Sequence, residues 1–304
     1  MCFMKYLIVF LFVIVGYIHA QEGIYRPTQH FVFPIVEVDV EADRPTSSVV
    51  DRQEHLDFVF QYAYAACLDR EYNLPIWVSH HLNGDLLERN FNARPNGYPA
   101  DAQLEGLRGS AYQSSGYDHG HLAPAADFQW DKTAYLQSFL MSNMSPQHGC
   151  FNQKGWCNLE GTLREWVKEN PKLDLYIVSG AVVNEFVDTL CLPRDVKVYV
   201  PKYFYKVVLV MEPGKEPYAV GFLVPNEDVT FQDIPEFIMS VRDIENLTGL
   251  DFFSFLPRKV QDEVETVIPD VKLYDKPIGC PDKSCDSVYS RRVKADERSK
   301  LRCE

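Results

Sequence analysis

The chain predicts a mixed α+β fold, and three observations predict it. Runs rich in Val, Ile, Tyr and Phe recur over 173–183, 196–211 and 218–224, each reading as strand. Ahead of them the hydrophobic period changes. Trp156, Leu159, Leu163, Trp166 and Val167 fall at helical spacing, which predicts an amphipathic helix over about 155–168. No Gly/Ser-rich or Pro-rich linker and no internal repeat divides the 304 residues, so one domain with a polar tail is the simpler organisation.

In chain order, residues 1–20 read as a secretory leader. Lys5 is a short positive region, Tyr6 to Val15 an apolar run, and Ala20 a small residue before a cleavage point at Gln21. The run is too short to span a bilayer, and nothing later approaches about 18 consecutive apolar residues, so the expectation is a secreted, extracellular protein with no membrane association. Residues 21–55 are mixed and proline-containing, an N-terminal arm. Residues 56–67 are apolar without a period that separates helix from strand. Leu74 to Ser79 begins a strand-like run, Phe91 to Ser115 is mostly loop, and Asn143 to Gln147 reads as a turn. Residues 234–246 look helical. The domain is thus expected over 56–280, followed by a polar basic tail at 281–304.

A net charge of −13 argues against tight non-specific nucleic-acid binding, yet a small basic cleft in an acidic body is compatible with a nuclease. Cys2 leaves with the leader. The seven remaining cysteines, in an oxidising compartment, imply up to three disulfides and one free thiol. Cys280–Cys285 and Cys150–Cys157 are candidate pairings. No Cys-x-x-Cys pair supports a zinc site. Sequons stand at Asn143 and Asn246, the first among apolar residues and the second near a helix end.

The chemistry concentrates in Asp118-His119-Gly120-His121-Leu122-Ala123-Pro124, read as histidines on a glycine-hinged turn. A histidine is a base near neutral pH. Downstream, Asn152 offers an amide oxygen to a hard cation, and Glu160 and Arg164 share a face of the expected helix. Upstream, Arg89 adds a second guanidinium. A base, a cation ligand, a carboxylate and two phosphate-binding forks together suit phosphodiester hydrolysis. Asp118 reads as a carboxylate that fixes the turn through backbone hydrogen bonds. His80 and His81 read as decoration of a strand end, His148 as a solvated loop residue, Trp156 and Trp166 as core. Nothing in the spacing singles out Asp127 or Asp131.

Several motifs in register carry a resemblance. Asp118 to Pro124 differs at one position from Asp-Arg-Gly-His-Leu-Ala-Pro, and Ser142 to Gln147, Phe151 to Trp156, Leu159-Glu160 and Leu247 to Phe253 follow in order and spacing. Over roughly 60–260 the chain resembles the DNA/RNA non-specific endonucleases of the ββα-metal class, endonuclease G among them. The resemblance implies a ββα-metal (His-Me finger) fold with a central antiparallel sheet flanked by helices. It implies cleavage of DNA and RNA to 5′-phosphate and 3′-hydroxyl ends. His121 would be the general base, Asn152 the ligand of Mg2+ (Mn2+ the alternative ion), and Glu160 the carboxylate orienting water at the metal. Arg89 and Arg164 would contact the scissile phosphate, and Asn143 and His119 would belong to the substrate site. His119 stands where the motif has arginine; histidine is shorter and mostly neutral at pH 7, which puts the activity level, pH preference and choice of ion in question. The rival expectations are a nucleic-acid-binding relative with weak or no cleavage, and an extracellular interaction protein using the fold as scaffold. Oligomeric state, a homodimer included, is not set by the sequence.

Overall fold

The computed structural model describes residues 55–280 apart from 88, 104–106, 108, 110, 114, 193–195 and 275. The expected leader, the N-terminal arm up to residue 54 and the tail at 281–304 lie outside the described residues.

The apolar stretch at 56–67 resolves into two strands, β1 (Leu56–Phe60) and β2 (Tyr64–Asp69), paired as a hairpin. Every residue of β2 is buried. A strand covered on both faces shows no alternation, which is why its period cannot be read from sequence. β3 (Leu74–Asn83) pairs with β2 and extends the expected strand. The residues read as a glycine turn are β4 (Asp118–His121), and the residues read as a second turn are β5 (Met144–Gln147). These two pair antiparallel, with Asp118 opposite Gln147 and His121 opposite Met144. Between them lies α1 (Lys132–Gln137), capped by Asp131, whose carboxylate accepts from the Thr133 and Ala134 N–H groups.

A helical turn at Gly149–Phe151 runs into a π-helical stretch, Asn152–Trp156, and then into α2 (Cys157–Glu169), the helix expected from the apolar period. β6 (Asp174–Ala181) and the ribbon of β7 (Phe186–Leu192) and β8 (Val196–Pro201) follow. The run at 196–211 therefore breaks in two, because β9 (Tyr203–Met211) leaves the ribbon and enters the main sheet beside β6. β10 (Tyr218–Pro225) and the short β11 (Ile238–Met239) complete that sheet. Only the end of the 234–246 segment is α-helix: α3 (Val241–Thr248) starts at Ser240, whose hydroxyl accepts from the Asp243 N–H, and stops at Gly249, left-handed at φ 71°. α4 (Arg258–Glu265) ends the regular structure.

The main sheet has seven antiparallel strands in the order β1-β2-β3-β6-β9-β10-β11. Alternation along β9 assigns its faces. Phe204 and Lys206 face Trp156 at the start of α2, whereas Tyr205 packs on Phe252 beyond α3. The sheet is thus covered on both sides, and the Asp118–Pro124 motif sits on the α2 side.

Cys157 bonds Cys280, which excludes both candidate pairings. Cys150 and Cys191 are also disulfide-bonded, and Cys67, buried in β2, is the free cysteine among the described residues. The sequence could not choose because the bond joins residues 123 positions apart. Asn143 is fully buried and closed to a glycan, while Asn246 is exposed on α3. Among the described residues no helix is long and apolar enough to cross a membrane.

Candidate active site

Strand alternation decides what each residue of β4 does. His119 and His121 project to one face, and Asp118 and Gly120 to the other. Gly120 is required by contact: a Cβ there would lie 1.9 Å from Gln147 Oε1 on a side chain that is itself fully buried. The Asp118 carboxylate accepts from Asn152 Nδ2 at 3.0 Å and from Gln153 Nε2 at 2.9 Å. It therefore orients the π-helical stretch, a role the sequence reading did not foresee. With its Nδ2 held by Asp118, Asn152 presents an Oδ1 that accepts no hydrogen bond from the described residues.

His121 is tied down through its backbone, whose carbonyl accepts from Trp156 Nε1 at 3.0 Å. Its ring stands edge-on to Phe139 at 4.9 Å, and its buried Nε2 has no hydrogen-bond partner. Burial, with the like charges of Arg94 and His119 adding to it, pushes the His121 pKa down to about 3. Burial thus favours the neutral imidazole, whose Nε2 carries no hydrogen-bond partner.

His119 is stacked face to face on Tyr98 at 4.1 Å and 3°, lies 4.8 Å from Tyr112, and holds the Gly109 carbonyl through Nε2 at 3.0 Å. Burial first, then Arg94, pushes its pKa down to about 4, although the Gly109 bond opposes the shift. It serves as a wall of the site. Its ring is engaged by Tyr98 and Tyr112 and its Nε2 by the Gly109 carbonyl, while the side chain stays part-buried at the site where the sequence placed it. Asn143 is corrected: its Oδ1 accepts from the Ala123 N–H and its Nδ2 donates to the Ala123 and Ser138 carbonyls, so it clamps the chain after His121 and cannot reach a substrate.

Glu160 and Arg164 share a face of α2, as expected. Arg164 Nη1 donates to Asp127 Oδ1 at 2.8 Å, and Asp127 Oδ2 meets His80 Nε2 at 3.0 Å. Burial alone would raise the Asp127 carboxyl, but Arg164 and His80 hold it below the usual range. His80 and Asp127 are thus a buried support for Arg164, where the sequence reading saw an idle strand end and an unremarkable acid. His81, on the opposite face of β3, pairs with Asp174 at 2.8 Å. Glu160 makes no hydrogen bond to the described residues. Burial pushes it up to about 8 against the pull of Lys206 and Arg164.

Lys206 is the main residue that motif reading missed. It is buried in β9, donates to Ser179 Oγ at 2.6 Å and to the Leu122 carbonyl at 3.4 Å, and lies 4.3 Å from the Trp156 ring. Burial pushes it down to about 8, opposed by Glu160 and Asp127. A signal existed: a lone lysine inside Tyr203–Met211 has to be buried and paired if that run is a central strand. Arg94 and Tyr98, in the long loop before β4, were also missed, since neither belongs to a local motif. Arg89, by contrast, is exposed and makes no ion pair or side-chain hydrogen bond among the described residues.

Residues 45–259 match the family described as DNA/RNA non-specific endonuclease. The chain belongs to that family. It is 32% identical over 215 residues to Nuclease C1 of Cunninghamella echinulata var. echinulata, covering 66% of this chain and 84% of that one. It is 32% identical over 215 residues to the mitochondrial nuclease EXOG of Danio rerio, covering 66% of this chain and 61% of that one. A chain in a crystal structure of the EndoG/EndoGI complex superposes with TM-score 0.60 at 25% identity, over 66% of this chain and 87% of that chain. As a DNA/RNA non-specific endonuclease the protein is a hydrolase acting on nucleic acid. The unit formed by β4, β5 and the helix through α2 is the ββα finger of its class.

Proposed function

We propose that the protein is a secreted, Mg2+-dependent endonuclease that hydrolyses DNA and RNA to 5′-phosphate and 3′-hydroxyl ends, with His121 as general base. The observation that carries this reading is the pairing, in one ββα unit, of a neutral, unpartnered imidazole with an amide oxygen aimed by Asp118. A hard divalent cation fits these donors: among the described residues nothing donates to the Asn152 Oδ1, and the Glu160 carboxylate, further along the same helical run, likewise makes no hydrogen bond. Asn152 would hold the ion directly and Glu160 would orient its water. Bound there, the cation supplies positive charge to the scissile phosphate and the leaving oxygen.

His121 takes the proton from the attacking water as the new P–O bond forms, and the P–O3′ bond breaks; the 3′-oxygen takes a proton from solvent water and leaves as a 3′-hydroxyl. Its lowered pKa leaves it unprotonated before the reaction. Arg164 steadies the phosphoryl oxygens with the N–H groups that Asp127 does not occupy, and Arg89 is a further exposed guanidinium. Lys206 and Asp127 keep charges balanced beneath Glu160. The contacts are to backbone phosphate, which is common to DNA and RNA.

One preparation tests the whole reading. The full chain is expressed in secreting cells and recovered from the medium, where its N-terminus should be Gln21. It is then given plasmid DNA or RNA with Mg2+ or EDTA. Cleavage of both substrates in Mg2+, lost in EDTA and in His121→Ala, is the expected result. Binding without cleavage across ions and pH would sink it.

A further inference from the structure

We propose that Arg94 is a further guanidinium that grips the scissile phosphate, on the His121 side of the site and in addition to Arg164, a role that rests on the nuclease reading above. Two aromatic rings build its seat. The Arg94 Cζ lies 5.2 Å from the Phe139 centroid and 5.8 Å from the Tyr98 centroid, and its Nη2 donates to Tyr98 Oη at 2.6 Å. The same Phe139 ring receives His121 edge-on, and the same Tyr98 ring carries His119 in a stack. Base, neutral wall and guanidinium therefore form one cluster, and the Arg94 charge acts on both imidazoles.

Unlike the two cations that line the α2 side of the sheet, Arg94 has no acidic partner among the described residues. Arg164 is buried against Asp127, and Lys206 is enclosed with Ser179 and the Leu122 carbonyl. Arg94 is exposed, makes no ion pair among the described residues, and uses one N–H on Tyr98. The remaining donors of its planar fork match the oxygens of a phosphodiester. Stacking and the Tyr98 hydroxyl hold the fork before the ligand arrives, which lowers the entropy cost of binding. In a chain of net charge −13, a cation held beside the base with no acidic partner among the described residues is what an incoming polyanion meets at the site.

His119 fits the same arrangement. It is uncharged down to about pH 4, and both its ring and its Nε2 are engaged. An arginine at position 119 would set a second cation against Arg94. Histidine leaves the phosphate-binding charge to the loop.

Wild type, Arg94→Ala and Arg94→Lys are compared, with the highly exposed α4 residue Lys259→Ala as a control. Plasmid cleavage in Mg2+ yields kcat and KM. Anisotropy of a fluorescein-labelled duplex in EDTA, over a salt series, yields affinity and its salt slope. Arg94→Ala should cut kcat/KM by about 10²-fold and reduce the slope of log affinity against log salt by about 1, with its melting temperature unchanged. Arg94→Lys should keep the slope but recover only part of kcat, because an ammonium lacks the fork. Lys259→Ala should match wild type in both. If wild type cleaves and Arg94→Ala keeps its kcat/KM and salt slope, the proposal is overturned. It is equally overturned if activity falls with an unchanged slope and a lowered melting temperature, the signature of a structural role. Failure of wild type to cleave refutes the nuclease reading instead, and the salt slope still decides whether Arg94 meets phosphate.

Discussion

Asp118 shows how one side chain does a job that its neighbours in sequence do not suggest. The carboxylate lies on the face of β4 opposite His121 and reaches forward to Asn152 and Gln153. Loss of a group that orients a metal ligand commonly weakens metal affinity by 10–100-fold. Asp118→Ala should therefore raise the Mg2+ concentration for half-maximal cleavage by about 10-fold or more, with kcat partly restored at saturating Mg2+. A titration of rate against Mg2+ measures it, and an unchanged midpoint would break the link from Asp118 to Asn152. His121, Asn152, Glu160 and Arg164 were legible from motif spacing because each is fixed in register by one short unit. Arg94, Tyr98, His80, Asp127 and Lys206 were not, because they reach the site from a loop, a second loop and two strands of the large sheet.

At the level of elements, the finger depends on close contact between β4 and β5 and on the anchoring of α2. Gly120 permits the first, since any side chain there collides with Gln147. The second is held from the far end of the described chain. Cys157 bonds Cys280, Asn158 Oδ1 accepts from the Ile278 N–H at 2.7 Å, and a Cβ on Gly161 would lie 2.1 Å from the Ile278 carbonyl. The segment before the tail is thus strapped along the helix that carries Glu160 and Arg164. Replacing both cysteines by serine should cost about 2–5 kcal/mol, read as a lower midpoint in urea. An unchanged midpoint would mean that the hydrogen bond and packing suffice. The α2 helix was readable because one face is apolar at a helical period; β4 and β5 were misread as turns because strands of four residues carry too little alternation to outweigh Gly120 and Pro146.

Over the whole molecule, two helices on the face away from the site are joined by buried charge. Glu265 is fully buried with Oε2 2.7 Å from Arg242 Nη2 and Oε1 unpartnered, and Glu245 accepts from the Phe252 N–H at 2.8 Å. Together with Asp251 their oxygens converge within 4.8 Å, and the Arg242 guanidinium is the cation that meets the two glutamates. Burial pushes Glu265 up to about 8, with Glu245 adding to the shift, and pushes Glu245 up to about 7. The folded state then holds protons that the unfolded chain releases near pH 4.3. Stability from this cluster is full below that pH and is lost as pH rises towards 8. The melting temperature of wild type should accordingly fall more steeply between acid and mildly alkaline pH than that of Glu265→Gln. Parallel curves would remove the cluster from the pH response.

The sequence by itself determined the α+β class, the α2 helix, the family and the four residues of the finger. Those follow from local periodicity and from motifs whose spacing is set by a single short unit. Only the tertiary structure decided that His119 is a wall and Asn143 a clamp, that Cys157 finds Cys280, and that Arg94 stands beside the base. Each of these depends on which distant segments the sheet and its covering helices bring together, and such contacts leave no period in the chain.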